Sequence, residues 1–345
     1  MSFAIGVDLG GTNLRIAAVS EQGELLEKIT TGTHVRLGRD AVINEMTAAI
    51  SRQAAKFSRS QELLGIGIGV PGIIDAHTGM LRESPNLAGW NDYPVRDEIE
   101  RRLGSPVALE NDANCAALGE DWLGAAKAAD HMCMITLGTG VGGGIVLHGR
   151  VWHGLTGMAG ELGHITVDPN GPNCPCGNRG CAEQFASATA IMRMAHAAIA
   201  GGKSEALKRA AGDPNAEFNS KAVYELAVQG DQAAQEIYHT VGWALGVLLG
   251  DLVNALNLQM YVIGGGVSAS WEVFAPALFE ELQRRSFVYA ATAPNDMIAS
   301  VAEGASATLK PLGTSPRTII THAVLGGDAG LYGAARLPML PVDKM

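Results

Sequence analysis

A glycine-rich strand-to-strand turn occurs twice in this chain, about 130 residues apart, and that recurrence constrains the fold more than any other feature. The first copy, Asp8-Leu9-Gly10-Gly11-Thr12, follows the apolar run Ala4–Val7. The second, Leu137-Gly138-Thr139-Gly140-Val141-Gly142-Gly143-Gly144, follows the run His131–Leu137. Each sits where one strand hands over to the next, so two similar α/β halves facing a cleft are expected. In the first half, strands Ala4–Val7, Leu14–Val19 and Leu25–Thr31 read as a meander, and Ala41–Phe57 has helical spacing. The run Leu63–Val70 reads as a buried strand ending at Pro71-Gly72. A helix over Val95–Leu103, a strand over Val107–Leu109 and a helix over Ala113–Leu123 complete it.

The second half restarts with strands at His131–Leu137, Gly144–Leu147 and Val151–His153. Helices are expected at Ala186–Ala200, Ser220–Ala227 and Asp231–Asn257, then a strand at Gln259–Ile263 and a helix at Trp271–Arg285. A strand at Thr318–Thr321 precedes a last helix, Ala329–Leu337, which is expected to pack back on the first half. The apolar stretch Trp243–Leu256 is interrupted by Asp251 and Asn254. It falls short of the ~20 residues that span a bilayer and reads as a buried helix.

The turns carry chemistry. Asp8 to Arg15 offers a row of backbone N–H groups, the Thr12 hydroxyl, Asn13 and an arginine at one tight turn, which suits phosphate oxygens. Asp8 can hold a Mg²⁺ directly or through water. Thr139 and Gly140 repeat the arrangement, and a third turn, Gly264-Gly265-Gly266, would let a base or ribose lie against bare backbone. No Gly-Lys-Ser/Thr follows any of them, so none is a Walker-type loop, and none opens a helix in the dinucleotide-binding manner. Glycine totals 44 of 345 residues, well above the ~7% average, as expected where backbone approaches ligands closely.

Glu110-Asn111-Asp112 stands between a strand and a helix. Asp112 reads either as the helix N-cap or as a base that takes the proton of an alcohol oriented by Asn111. Downstream of His164, the stretch Asp168–Cys181 has nine Gly, Pro or Asn among fourteen residues, and three of its residues are Cys174, Cys176 and Cys181. No ordinary core would hold such a loop, whereas a tetrahedral Zn²⁺ on three thiolates and an imidazole would. Glu161 and Glu183 flank it and read as sugar-hydroxyl partners, along with one His164 nitrogen; surface carboxylates or a brace for the metal are the alternatives. Cys115 and Cys133 lie in apolar surroundings and read as core.

Five cysteines, three within eight positions, fit a metal site in a reducing cytoplasm better than a disulfide scaffold. The opening residues lead straight into a strand, with no basic start of a secretory signal. A net charge of −10 argues against a nucleic-acid or acidic-membrane partner.

Taken together, Asp8–Arg15, Val70-Pro71-Gly72, Glu110-Asn111-Asp112, Leu137–Gly144, Glu161-x-Gly-His164 and Cys174-x-Cys176-Gly-Asn-x-Gly-Cys181-x-Glu183 resemble the ROK family of bacterial repressors and sugar kinases. The resemblance runs from Ile5 to about Ala335, and Pro85-Asn86-Leu87-x-Gly89-Trp90 makes it closest to the ATP-dependent glucokinases. It implies an actin-like, hexokinase-like (ribonuclease H-like) ATPase fold of two α/β domains closing on sugar and ATP. The expected division is 1–112 plus 328–345 against 113–327, the latter with the zinc loop at 164–183 and a helical insert. By matched positions, Asp112 is the base, and Gly72, Asn86, Asn111, Glu161, His164 and Glu183 are sugar contacts. Asp8, Gly10, Gly11, Thr12, Asn13, Thr139, Gly140, Gly265 and Gly266 hold the nucleotide, and His164, Cys174, Cys176 and Cys181 hold a structural Zn²⁺. The implied reaction is transfer of the ATP γ-phosphate to glucose, with Mg²⁺, in a homodimer or homotetramer. N-acetylmannosamine, mannose or fructose as acceptor, and polyphosphate as donor, are alternatives. A sugar-responsive repressor is the alternative of another class, and the first strand at residue 4 leaves no room ahead of it for a helix-turn-helix. The segment Leu309–Arg317 looks longer than the family pattern.

Overall fold

A computed structural model of the chain describes residues 2–75, 77–84, 87–294 and 317–341. The chain divides into two compact units. Unit 1 comprises Met1–Met134, Gly144–Gly160 and Val324–Met345, and unit 2 comprises Ile135–Gly143 and Glu161–Ala323.

The elements up to the middle of the chain are β1 (Ser2–Leu9), β2 (Asn13–Ser20), β3 (Leu25–Gly32), α1 (Arg39–Phe57), β4 (Glu62–Val70), β5 (Ile73–Asp75), β6 (Met80–Glu83), α2 (Val95–Leu103), β7 (Ala108–Asn111) and α3 (Asp112–Trp122). Then come β8 (His131–Leu137), β9 (Val141–Leu147), β10 (Arg150–Val151), α4 (Glu183–Ala186), α5 (Ala188–Ala200), α6 (Glu205–Ala211), α7 (Ser220–Val228) and α8 (Gln232–Leu256). The last are β11 (Met260–Gly264), α9 (Trp271–Arg285), α10 (Phe287–Thr292), β12 (Ile319–His322) and α11 (Ala329–Arg336).

The expected duplication appears in the topology. One sheet has the order β3-β2-β1-β4-β7, the other β10-β9-β8-β11-β12. The first joins an antiparallel meander to two parallel strands, and the second ends in the antiparallel β9–β10 hairpin on one side and the parallel β11–β12 pair on the other. Most expected elements lie within two or three residues of their observed bounds. The helix expected over Ala186–Ala200 is α5, which starts two residues later because Ser187 is extended and its hydroxyl accepts the Ala190 N–H at 3.0 Å, capping it. The segment 295–316, with most of Leu309–Arg317, lies outside the described residues.

β1 shows how the first sheet is made. Its odd positions Phe3, Ile5, Val7 and Leu9 join Val42, Ile43, Met46 and Ile50 of α1 in one core. The period of two sends Ala4, Gly6 and Asp8 to the other face, and α11 lies there so closely that a Cβ on Gly6 would fall 2.4 Å from the Leu331 carbonyl oxygen. Leu331 and Ala335 of α11 bury with Ala17 and Val19 of β2. The last helix therefore packs on the first half as expected. The boundary expected at residue 112 moves, however, because α3 belongs with α11. A Cβ on Gly333 would fall 1.7 Å from the Cys115 oxygen, so the two helix backbones touch. Cys115 and Cys133 are fully buried, as read, and burial pushes the Cys133 thiol up to about 12. In unit 2, α8 is apolar because it is buried, with Phe274 and Leu278 of α9 meeting its glycines Gly242 and Gly246.

One buried carboxylate closes unit 1. Glu120 has no exposed surface, and its oxygens accept the N–H groups of Ala125 (2.8 Å), Val324 (3.1 Å) and Leu325 (2.8 Å). These lie just after α3 and just where the chain re-enters unit 1. Glu120→Gln places an amide against those donors, and a buried N–H without an acceptor costs ~1–3 kcal/mol. The variant should unfold about 2–4 kcal/mol more easily in urea. An unchanged urea midpoint would remove this role.

Candidate active site and metal centre

The sheet of unit 1 brings its candidate residues to one edge. Asp8 pairs with Arg15 across the β1–β2 hairpin and with Gly69 across the parallel β1–β4 pair, and Gly69 pairs with Glu110 on β7. Arg15, Asp8, Gly69 and Glu110 thus form a single row at the carboxyl ends of β1, β4 and β7, where open α/β sheets bind ligands.

At one end of the row, Arg15 Nη1 donates to Asp8 Oδ2 (3.0 Å) and to the Gly327 carbonyl (2.8 Å), just before α11. Burial raises the Asp8 carboxyl above its ordinary value, while Arg15 pulls it down. The turn is tied by Gly10 N–H to the Asn13 oxygen (2.8 Å), Thr33 Oγ1 to the Gly10 oxygen (2.6 Å) and Thr33 N–H to the Thr12 oxygen (2.9 Å). Thr12 and Asn13 are exposed and Gly10 and Gly11 half-buried, so the turn is open to a ligand.

At the other end, the N-cap of α3 is Asn111 rather than Asp112. Asn111 Oδ1 accepts from Ala113 N–H (2.8 Å) and Asn114 N–H (3.2 Å), and its Nδ2 donates to the Gly72 carbonyl (3.0 Å). One amide hydrogen then remains for a ligand, since the group carries two. Asn111 and Gly72 are brought together, and Asp112, with Oδ1 on the Ala113 N–H (2.8 Å), begins the helix. Asn86 lies outside the described residues. Glu110 and His153 carry interactions that the sequence did not single out: Glu110 Oε2 and His153 Nε2 are 2.6 Å apart. Their only signal was the position of Glu110 against Asn111.

Unit 2 holds the second set. The turn after β8 closes with Gly138 N–H on the Gly140 oxygen (2.9 Å), and Glu183 Oε2 accepts the Val141 N–H (3.0 Å). The start of α5 is fastened to the same turn by Ala188 N–H on the Gly138 oxygen (2.8 Å) and Thr189 Oγ1 on the Thr139 oxygen (2.7 Å). A helix N-terminus at a glycine turn favours anions. Glu183 Oε1 has no partner among the described residues. Gly163 lets the Leu162–His164 turn lie on β9, since a Cβ there would be 2.1 Å from the Val141 oxygen. Gly265 has a packing reason of its own to lack a side chain: its φ is +85° and a Cβ would meet the Leu137 oxygen at 2.4 Å, so it packs β11 on β8. Gly266 has open space beside it and is the glycine of that turn free to meet a nucleotide.

The donor atoms of His164, Cys174, Cys176 and Cys181 all lie within 4.8 Å of one another. Cys176 Sγ and Cys181 Sγ are 3.8 Å apart, and Cys174 Sγ and His164 Nδ1 are 3.6 Å apart. A tetrahedron with metal–sulfur bonds of ~2.3 Å and a metal–nitrogen bond of ~2.05 Å has edges of ~3.8 and ~3.6 Å, so the residues fit zinc. Burial lifts the Cys181 thiol to about 12, and a cation would reverse that by stabilising the thiolate. Because Nδ1 faces the cysteines, His164 Nε2 is left on the side of Glu161, whose Oε2 is 4.0 Å away.

The ROK family model matches residues 4–310. A glucokinase of Thermotoga maritima is 41% identical over 278 residues, covering 81% of this chain and 86% of the relative. A xylose repressor of Caldicellulosiruptor bescii is 30% identical over 285 residues, which span 82% of this chain and 71% of the repressor. The crystal structure of a ROK family glucokinase from Streptomyces griseus in complex with glucose and AMPPNP is 32% identical, with a TM-score of 0.73 over 97% of this chain and 99% of that one.

Proposed function

The chain belongs to the ROK family, and from that premise we propose that it is an ATP-dependent hexose kinase that phosphorylates the 6-hydroxyl of D-glucose. The observation that carries this reading is the row at the edge of the first sheet, with a glycine turn and a half-buried Asp8 at one end and Asn111-Asp112 at the other. That edge offers what phosphoryl transfer needs: donors for phosphate oxygens and a carboxylate for the acceptor hydroxyl.

In this reading the spare Asn111 amide hydrogen orients the 6-hydroxyl. Asp112 accepts its proton as the oxygen–phosphorus bond forms, and the bond between the γ-phosphorus and the bridging oxygen breaks to release ADP. Glu161, His164 through Nε2, and Glu183 through Oε1 bind the other hydroxyls. The turns at Gly10–Asn13 and Thr139-Gly140 hold phosphate oxygens by backbone N–H groups, and Gly266 admits the adenosine. Asp8 is the residue suited to a Mg²⁺, which when bound neutralises the developing phosphate charge. His164, Cys174, Cys176 and Cys181 take a structural Zn²⁺ with no open position, so it shapes the loop and does not react.

A coupled assay of ADP formation with glucose, mannose, fructose and N-acetylmannosamine tests the reading, with ATP and polyphosphate compared as donors. Glucose with ATP should give the highest kcat/KM and glucose 6-phosphate as product. No sugar-dependent ADP formation with any acceptor would overturn it in favour of a sugar-sensing protein of the repressor kind.

A further inference from the structure

We propose that His153 is a positioning residue for phosphoryl transfer, acting through the Glu110 carboxylate to hold Asn111-Asp112 in register with the loop that leads to Glu161. The proposal rests on the kinase reading above. Glu110 is 7% exposed, and such a buried carboxylate needs hydrogen-bond donors around it. It has three. Oε1 accepts the Asn111 backbone N–H at 2.8 Å and the Asn114 side-chain amide at 2.9 Å, and Oε2 faces His153 Nε2 at 2.6 Å. The carboxylate thus spans the last residue of β7 and the first turn of α3, on either side of Asp112. The contact is charge-assisted, since Glu110 raises the imidazole above its ordinary pKa.

His153 also begins the loop between β10 and Glu161. Its carbonyl accepts the Ala159 N–H at 3.2 Å, closing residues 153–159 into one turn. The apolar side chains of this loop do not anchor it, because Leu155 is 93% exposed and Trp152 and Met158 about half exposed. The Glu110–His153 pair is therefore what fastens the loop to the strand end that carries the base. An ion pair with no part in catalysis, buried on the Glu110 side and half-exposed on the His153 side, would support only the stability of unit 1. A positioning pair also sets the direction of the Asp112 carboxylate, and a displacement of ~1 Å at reacting groups costs as much as 10²-fold in rate.

The experiment compares kcat, glucose Kd and melting temperature for the full chain and for His153→Ala, His153→Gln, Glu110→Gln and Glu110→Gln with His153→Ala. The proposal expects His153→Ala to lower kcat by about 10²-fold, beyond any loss of folded protein, with glucose Kd changed much less. His153→Gln, whose amide N–H can reach the same carboxylate, should recover most of that loss. With Glu110→Gln in place, His153→Ala should cost little more, since the two act as one unit. Equal kcat per folded molecule for His153→Ala and the parent overturns the proposal, as does full additivity of the two substitutions. If His153→Ala does not fold, Glu110→Gln decides: an unchanged kcat in that variant overturns it. A parent without sugar-dependent ADP formation instead removes the kinase reading, and the proposal with it.

Discussion

Asp112→Asn is expected to lower kcat by about 10²–10⁴-fold, roughly 3–5 kcal/mol of barrier, with glucose Kd and melting temperature close to the parent's. The two properties separate because the structural duty falls on the neighbouring residue. Asn111 caps α3 through Ala113 and Asn114, whereas Asp112 contributes Oδ1 to the Ala113 N–H. An asparagine oxygen can accept that same bond, so the variant loses basicity and a favourable charge at a helix N-terminus, the latter worth ~0.3–1 kcal/mol. In the kinase reading, glucose remains held by Asn111, Glu161, His164 and Glu183. Steady-state kinetics, calorimetric titration with glucose and thermal melting check all three. A kcat within about tenfold of the parent would mean that Asp112 is not the base.

Cys176→Ala is expected to empty the metal site and weaken glucose binding by about 10–100-fold, the usual scale when the support of a site is lost. Cys176 is exposed, so the substitution removes no core packing and its effects report the metal. Two of the proposed sugar partners depend on that loop. His164 presents Nδ1 to the cysteines and Nε2 toward Glu161, and Glu183 follows Cys181 by two residues. Protein purified without chelator should carry one zinc per chain. In the variant, residues 168–183 should become the first site of limited proteolysis. A parent without zinc, or a variant with full glucose affinity, contradicts this.

Much of this arrangement was readable in the sequence because it rests on local signals. Three cysteines among Gly, Pro and Asn after a histidine point to a cluster of donor atoms, and those atoms do lie within 4.8 Å of one another; a glycine turn between two apolar runs marks a strand end by itself. The positions of β1, α1, β8 and α9 follow from periodicity for the same reason. What was not readable depends on partners far away in the chain. Whether Asn111 or Asp112 caps α3 is decided by the Gly72 carbonyl, 39 residues upstream. That the missing side chain of Gly265 also makes room for the Leu137 backbone could not be read from the turn alone. Glu120 and His153 carry no motif, and their importance appears only once the Val324 N–H and the Glu110 carboxylate are seen beside them. The domain boundary was misplaced by the same kind of ignorance, since nothing local says that α3 will meet a helix more than two hundred residues later.

The packing of α11 against Gly6 has a consequence for the order of biosynthesis. Domains emerging from a ribosome generally fold from the N-terminal end. Here the face of β1 that carries Ala4 and Gly6, with Ala17 and Val19 of β2 beside it, is covered by Leu331 and Ala335. Until those residues have been made, that face stays bare, and the contacts that cover it are among the longest in sequence separation, which makes them slow to form. Unit 2 is completed at Ala323, before any residue of α11 has been synthesised. The unit whose strands are translated first is therefore the last to be sealed, and its nascent sheet is where a chaperone would have work to do.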